Sequence, residues 1–211
     1  MSYLDEPLRK YLDDAASGEP TPGGGSVSAL VGACGVTMAE MAANFTLGRE
    51  KFRDVEPEVM ELLLVLRDAR VKLLDLVEKD MQAYGQVSAA YAMPRGAEGE
   101  KEARTQAIQE ALGVALAVPL EAMRVMHSAL EADRRLVDIA NPNLISDVGV
   151  AAELLLGALR GARLNVDINL AFLKNETLVG RSRQEADVLE AEGQRLHDET
   201  AGVVANKLSR S

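Results

Sequence analysis

The chain has 211 residues, of which 47% are hydrophobic and 27% are charged, so it carries enough apolar material for one sizeable core. Only 3% of the residues are aromatic and tryptophan is absent, which favours helices and argues against an all-β fold. The formal net charge of -10 opposes non-specific attraction to nucleic acid or an anionic membrane, and the single cysteine, Cys34, excludes an intrachain disulfide and a cysteine-rich metal site.

The N-terminal segment is predicted to be a short amphipathic helix, because Leu4, Leu8 and Leu12 recur at helical spacing before an Ala-Ser-Gly-Glu-Pro stop. It is not a basic stretch followed by an apolar one, and no later segment reaches the ~18 uninterrupted apolar residues of a membrane span. We therefore expect a cytoplasmic protein that is neither exported nor embedded in a membrane.

Long segments with helical periodicity follow. The helix after the first glycine-rich loop is rich in alanine and glycine and should be closely packed, and a later helix contains Pro119, which is expected to kink it. Ser146 is predicted to cap the helix that starts beside it. The predicted helices cover residues 4–12, 26–47, 56–91, 99–139, 146–173 and 181–208. The sequence thus predicts an all-α, single-domain bundle of long helices over residues 1–211.

A loop of three glycines, Gly23, Gly24 and Gly25, precedes Ser26 at the predicted start of a helix. Such glycines serve helix entry for conformational reasons, or they leave bare backbone N–H groups that can hold an anion or an oxyanion. No preceding strand and no Gly-Lys-Ser/Thr ending accompany the loop, so a nucleotide-binding loop for ATP or NAD is disfavoured.

Asn44 and three cations, Arg49, Lys51 and Arg53, gather near the end of the predicted helix 26–47. They form either a solvated helix end or, in so acidic a chain, the best candidate for binding a carboxylate or phosphate.

Two further polar groups lie in otherwise apolar surroundings. Asn143 and Asp147 flank a loop-to-helix junction, and Asn165 and Asn169 share one helix face because they are four residues apart. Buried amides must find hydrogen-bond partners, so these residues indicate either a network between helices or a ligand cavity.

The histidines, His127 and His197, have neither a partner histidine nor acids at metal-ligand spacing, and no metal site is predicted.

Several motifs occur together in one order along almost the whole chain. They are Pro-Gly-Gly-Gly-Ser at 22–26, Met-Ala-Ala-Asn-Phe-Thr-Leu-Gly at 41–48, Ala-Ile-Gln-Glu-Ala at 107–111 with Val-Pro-Leu at 118–120, Asn-Pro-Asn at 141–143 continuing through Ser-Asp-Val-Gly-Val-Ala-Ala at 146–152, Gly-Ala at 161–162, and Asn-Val-Asp-Ile-Asn-Leu at 165–170. In this combination the chain resembles the cyclodeaminase/cyclohydrolase family, which includes the cyclodeaminase half of formiminotransferase-cyclodeaminase and stand-alone methenyltetrahydrofolate cyclohydrolases.

The resemblance implies long helices and a homodimer or larger homo-oligomer with a folate site at or near the subunit contact. It implies a reduced folate as substrate, possibly polyglutamylated, and no tightly bound cofactor or metal. The reaction would be closure of 5-formiminotetrahydrofolate to 5,10-methenyltetrahydrofolate with loss of ammonia. The alternatives are hydrolysis of the methenyl bridge to 10-formyltetrahydrofolate, and a non-catalytic folate-binding or helical oligomeric protein. Arg49 and Phe52 depart from the Lys and Tyr that the family often carries.

The same resemblance implies site roles. Asp147 is the first candidate for the carboxylate at the reacting centre, with helix capping as its alternative, and Asp80 is the second. Ser26 and the backbone of Gly23, Gly24 and Gly25 are expected to contact the pterin or the tetrahedral centre. The pterin edge is expected to contact Asn44, Asn165 and Asn169, with Asn143 nearby. The glutamate tail is expected to bind Arg49, Lys51 and Arg53.

Overall fold

The computed structural model describes residues 2–209, and no strand occurs among them. The helices are α1 (Leu8–Ala15), α2 (Gly24–Asn44), α3 (Glu56–Ala92), α4 (Glu98–Ile139), α5 (Ile145–Phe172) and α6 (Glu176–Leu208). Short 3-10 turns lie at Tyr3–Asp5, Glu50–Val55 and Pro142–Leu144. The predicted all-α bundle of long helices is confirmed.

The helices pack so that α2 lies between α3 and α5, while α4 packs on α3 and α5 and α6 on α4 and α5. The short connection between α4 and α5 makes these two helices antiparallel neighbours. By contrast, α4 and α6 run parallel, because Arg124 pairs with Glu185 at 2.6 Å and Arg134 pairs further along with Glu199 at 3.1 Å. The largest fully buried side chains come from α3, α4 and α5 and include Leu66, Leu73, Met123, Met126, Leu155 and Leu159.

The α2 helix approaches α5 closely because it lacks bulky side chains on that face. A Cβ added to Gly35 would lie 3.2 Å from the backbone oxygen of Ala151 and 3.0 Å from Leu155 Cγ. This helix is also long and apolar enough to cross a membrane by length and mean hydropathy, yet 61% of its most apolar window is buried inside the protein, as in the core helix of a soluble bundle. The predicted close packing of this segment is therefore present.

Several predicted helix ends differ from the structure. The α2 helix starts at Gly24 and ends at Asn44, so the glycine loop supplies its first turn, and Gly48 lies beyond its end with a left-handed φ of 71°. The predicted cap at Ser146 is wrong, because α5 begins at Ile145 and its cap residue, Leu144, makes no side-chain capping bond. The last helix starts at Glu176 because the Asn175 side chain accepts a hydrogen bond from the Leu178 amide at 3.0 Å.

Candidate active site

A cavity of about 500 Å³ opens between the start of α2, the C-terminal third of α3 and the C-terminal part of α5, with α4 also contributing to its wall. Its walls are mostly apolar, and few polar groups reach it. Its lining comprises Pro20, Thr21, Gly23, Gly24, Gly25, Asp80, Ala83, Tyr84, Val87, Tyr91, Leu112, Ala115, Asn165, Ile168, Asn169 and Phe172. A largely apolar cleft with a few convergent polar groups is the usual form of a small-molecule site.

Asp80 is the carboxylate of this cavity. Its Oδ2 accepts a hydrogen bond from the Ser26 backbone N–H at 2.9 Å, so the carboxylate lies at the positive N-terminal end of α2. Burial raises the pKa of the Asp80 carboxyl above its usual range, and the hydrogen bond from Ser26 opposes part of that rise. The site therefore holds a carboxyl group that exchanges its proton closer to neutral pH than an exposed aspartate does.

Gly25 makes this contact possible. A Cβ at position 25 would lie 2.1 Å from Asp80 Oδ1 and 2.6 Å from its Cγ, distances at which a carbon atom overlaps its neighbours. The neighbouring Gly24 is less constrained, since its Cβ would lie 3.5 Å from Asn165 Nδ2. At position 25 the triple glycine thus serves a close side-chain approach in addition to helix entry.

The Ser26 side chain contacts Tyr11. Its Oγ lies 2.9 Å from the hydroxyl oxygen of Tyr11, with either group able to donate, and both residues are buried. Ser26 therefore connects α1 to the Asp80 carboxylate, because its side chain bonds to Tyr11 and its backbone amide bonds to Asp80.

The two asparagines predicted to share a helix face both line the cavity. Asn165 Nδ2 donates to Gly161 O at 2.9 Å, and Asn169 Nδ2 donates to Asn165 O at 2.8 Å and to Ala115 O at 3.2 Å. The last contact depends on Pro119, which lies within α4 and has no N–H to offer the carbonyl four residues earlier. The proline thus leaves the Ala115 carbonyl open to Asn169.

Aromatic side chains form the outer part of the cavity. Tyr84 and Tyr91 are seven residues apart on one face of α3 and are each 45% exposed, and Phe172 at the end of α5 is 56% exposed. The Arg104 guanidinium lies 5.6 Å from the centre of the Tyr91 ring and donates to Tyr91 O at 2.9 Å. These rings offer flat apolar faces to a planar ligand.

The structure separates the predicted site residues into two groups. Asp80, Gly23, Gly24, Gly25, Asn165 and Asn169 line the cavity, and the buried Ser26 reaches it only through the hydrogen bond that its amide donates to Asp80. By contrast, Asn44, Arg49, Lys51, Arg53, Asn143 and Asp147 lie at the other end of the bundle. Along the α5 axis Asp147 is about 27 Å from Asn165, at 1.5 Å rise per residue. No contact with this cavity in the same chain is open to the second group.

The second group lies where the end of α2 meets the start of α5. The Asn141 amide donates to Thr46 Oγ1 at 2.9 Å, and its side chain donates to Phe45 O at 3.3 Å, which joins the end of α2 to the start of α5. Arg53 pairs with Glu50 at 3.1 Å on the surface, and Asp147 is partly buried in the first turn of α5. The roles predicted for these residues stay predictions.

Tyr11 and the aromatic rim were not predicted to belong to a site. No pattern in one sequence indicates that α1 folds back against the glycine loop. The spacing of Tyr84 and Tyr91 from Asp80, at i+4 and i+11, is the signal that places them on its helix face.

No group of three or more metal-ligating side chains comes together within residues 2–209. The histidines do have acidic neighbours, one of them four residues along the same helix and one on a different helix. His197 Nε2 lies 3.0 Å from Glu153, and His127 Nδ1 lies 3.7 Å from Glu131. Each is a histidine–carboxylate contact between or within helices.

The chain was compared with known proteins. Residues 7–188 match the formiminotransferase-cyclodeaminase family. A methenyltetrahydrofolate cyclohydrolase from Methylorubrum extorquens is 34% identical over 205 residues, which cover 97% of this chain and 99% of that protein. A formimidoyltransferase-cyclodeaminase from Rattus norvegicus is 32% identical over 183 residues, and these cover 87% of this chain but 34% of the rat protein.

A solved structure with the same fold supports the same family. A crystal structure of formiminotetrahydrofolate cyclodeaminase from Thermotoga maritima superposes with a TM-score of 0.88 at 34% sequence identity, over 97% of this chain and 98% of that one. Family match, full-length relatives and fold agree, and the chain belongs to the formiminotransferase-cyclodeaminase family.

Proposed function

We propose that the chain makes or breaks the methenyl bridge of tetrahydrofolate in this cavity, with Asp80 carrying the proton. The main candidate reaction is closure of 5-formiminotetrahydrofolate with loss of ammonia. Hydrolysis of 5,10-methenyltetrahydrofolate is the second candidate, favoured by the match to 99% of the length of the Methylorubrum cyclohydrolase. The observation that carries the proposal is the Asp80 carboxyl, half-buried in an apolar cavity and held by the Ser26 amide.

Ring closure with loss of ammonia requires one proton to move. N10 attacks the carbon of the protonated formimino group and forms a tetrahedral centre that carries both nitrogens and the NH2 group. The proton on N10 must leave and the NH2 must gain one, after which the C–NH3 bond breaks and the methenyl cation forms. A single carboxylate that accepts the N10 proton and returns it to the leaving nitrogen balances this step.

Hydrolysis makes the same demand. A carboxylate removes a proton from the water that attacks the methenyl carbon, and the resulting carboxyl group protonates N5 as the C–N5 bond opens. The hydroxyl proton is then lost as the formyl group forms. Asp80 suits either sequence because burial raises its pKa toward the range in which it both accepts and returns a proton near neutral pH.

Charge also favours Asp80. The protonated formimino group and the methenyl group are both cations, so a carboxylate at the wall of the cavity stabilises either one, and more strongly where water is excluded. The Tyr84, Tyr91 and Phe172 rings are proposed to hold the flat rings of the folate, and Asn165 and Asn169 are proposed to hydrogen-bond the pterin edge.

The experiment compares Asp80→Asn with Asp147→Asn, the two carboxylates considered above. Each purified variant is assayed for the appearance of methenyl absorbance from 5-formiminotetrahydrofolate and for its disappearance from methenyltetrahydrofolate. We expect Asp80→Asn to lower kcat by ~100-fold or more, as removal of a general acid–base group does, with a smaller rise in KM because the cationic substrate loses its counter-charge. The reverse result would move the role to Asp147, and no turnover of either folate by the wild-type protein would overturn the proposal.

A further inference from the structure

We propose that Tyr11 is a positioning residue for Asp80, acting through Ser26 to fix the first turn of α2. The inference rests on the proposed function only in giving Asp80 a catalytic role, since the contacts themselves do not depend on it. It assigns a task in the active site to α1, which lines no part of the cavity.

The connection runs through two contacts of the same length. The Tyr11 hydroxyl and Ser26 Oγ are 2.9 Å apart, and the Ser26 amide donates to Asp80 Oδ2 at 2.9 Å. Tyr11 is 3% exposed and Ser26 is 0% exposed, so water does not compete for the first contact. Because both bonds involve Ser26, a displacement of its side chain also displaces the amide that holds the carboxylate.

The first turn of α2 needs such a restraint. Gly23, Gly24 and Gly25 have no side chains to hold this turn, and glycine has the greatest backbone freedom of any residue. The cap position, Gly23, makes no side-chain capping bond. Ser26 is the first residue of α2 with a side chain, and its partner is Tyr11.

Tyr11 is itself held in place. Ser2 Oγ and the Tyr3 amide both donate to Glu78 Oε1 at 2.8 Å, which fastens the N-terminal segment to α3 two residues before Asp80. The Tyr3 ring packs edge-to-face on Tyr11, with 5.4 Å between centroids and an 88° angle. Tyr11 is also the one buried residue of α1.

The chemistry of Tyr11 fits a positioning role. Burial raises the pKa of the Tyr11 hydroxyl, the contact with Ser26 lowers it, and the negative charges of Asp80 and Glu78 raise it. The hydroxyl therefore keeps its proton at neutral pH and exchanges none with the substrate. The titratable groups around this point are Asp80 and Glu78 of α3, Tyr11 itself, and Tyr3, which packs on Tyr11 and bonds to Asp14 beside Lys10.

The test is Tyr11→Phe, with Tyr3→Phe as the matched control. Both substitutions remove one tyrosine hydroxyl from the same segment and keep the ring, but the Tyr3 hydroxyl donates to Asp14 at 2.7 Å, away from the cavity. The first readout is the Asp80 pKa, followed by carbon NMR of the carboxyl groups and assigned with Asp80→Asn. The second is kcat and KM across pH for whichever folate is turned over.

We expect Tyr11→Phe to raise the Asp80 pKa, because a weakened bond from the Ser26 amide no longer favours the charged form. The acidic limb of the kcat profile should move to higher pH, and kcat should fall by about tenfold, the effect of one lost buried hydrogen bond. Ser26→Ala should give the same shift, and the double variant should be no worse than either single variant.

An Asp80 titration in Tyr11→Phe that matches the wild-type and Tyr3→Phe proteins would overturn the inference, even if the melting temperature fell. Failure of the proposed function looks different. The wild-type protein would then turn over neither folate, while the NMR titration would still decide whether Tyr11 controls Asp80.

Discussion

Gly25 is the residue at which the cavity tolerates least change. We expect Gly25→Ala to abolish turnover, because the new Cβ would overlap Asp80 Oδ1 and push the carboxyl group off the Ser26 amide. The matched control is Gly157→Ala in the middle of α5, where nothing lies within 4 Å of an added Cβ. That variant should keep full turnover and gain ~0.5–1 kcal/mol in unfolding free energy. Steady-state kinetics and urea unfolding check both, and an active Gly25→Ala would contradict the geometry.

Asp133 makes stability depend on pH. It is fully buried, neither of its carboxylate oxygens meets a hydrogen-bond partner within residues 2–209, and burial raises its pKa well above the usual range. The unfolded chain loses this proton near pH ~3.9 whereas the native protein keeps it. The unfolding free energy therefore falls as pH rises from that value to the raised native pKa.

We expect Asp133→Asn to remove this part of the pH dependence, since an amide stays neutral. Urea unfolding at pH 5 and pH 8 should show a smaller loss of stability in the variant than in the wild-type protein, where one such proton contributes at most about 1.4 kcal/mol per pH unit. Asp13→Asn, at an exposed position of α1, should retain the wild-type slope. Equal slopes in all three proteins would refute the assignment.

Part of the candidate site could be predicted from the sequence. The glycine loop, Asp80 and the asparagine pair were predicted, and the folded chain brings them together at one cavity. The predicted site also included Asp147 and Lys51, and a sequence does not reveal that the start of α2 and the start of α5 lie at opposite ends of the bundle. That information is contained in the antiparallel packing of two helices that are far apart in sequence.

At the scale of elements, Pro119 connects α4 to the cavity through Asn169. The substitution Pro119→Ala restores an N–H that competes for the Ala115 carbonyl, so the Asn169 side chain should be held less firmly. We expect the folate Kd to rise by about two- to fivefold, as loss of part of one hydrogen bond does. Gly113→Ala is the control, because it improves the helix without changing the Ala115 carbonyl.

Calorimetric titration with a reduced folate measures the effect. In an Asn169→Ala background the proline substitution should change the folate Kd no further, since its partner is gone. An additional loss of affinity in the double variant would mean that Pro119 acts by another route.

The helices themselves were largely predictable, because each carries a long apolar repeat. Their ends were less so. The last helix begins five residues earlier than predicted because Asn175, an ordinary polar residue in the sequence, caps it. Likewise, α2 takes Gly24 and Gly25 into its first turn, where propensity alone predicts a loop, because Asp80 satisfies the Ser26 amide.

At the scale of the whole molecule, α2 presents an apolar outer face. Val27 is 37% exposed, Cys34 is exposed, and Val31 and Met38 are half-buried, all along one stripe of a helix that is otherwise core. Monomeric proteins rarely leave such a continuous stripe in water. We expect a homodimer or larger assembly at micromolar concentration, with this stripe at the contact.

Sedimentation velocity measures the assembly. Val31→Asp should give a folded monomer, whereas Val188→Asp, at an exposed apolar position of α6, should leave the assembly intact. The Cys34 thiol should react slowly with a thiol reagent in the wild-type protein and quickly in Val31→Asp. A wild-type monomer, or fast labelling of Cys34 in both proteins, would contradict the prediction.

The cavity joins distant parts of the chain, since Gly23–Gly25 meet Asn165, Asn169 and Phe172 across residues of α3 and α4. During synthesis, α2 emerges long before its partner α5, so α2 first exposes the face around Gly35 that α5 later covers. Closing a contact over so long a stretch of chain is slow compared with pairing of adjacent helices. We therefore expect the cavity end of the molecule to be completed late in folding, and a nascent chain ending before α5 carries Asp80 without the pocket in which it is proposed to act.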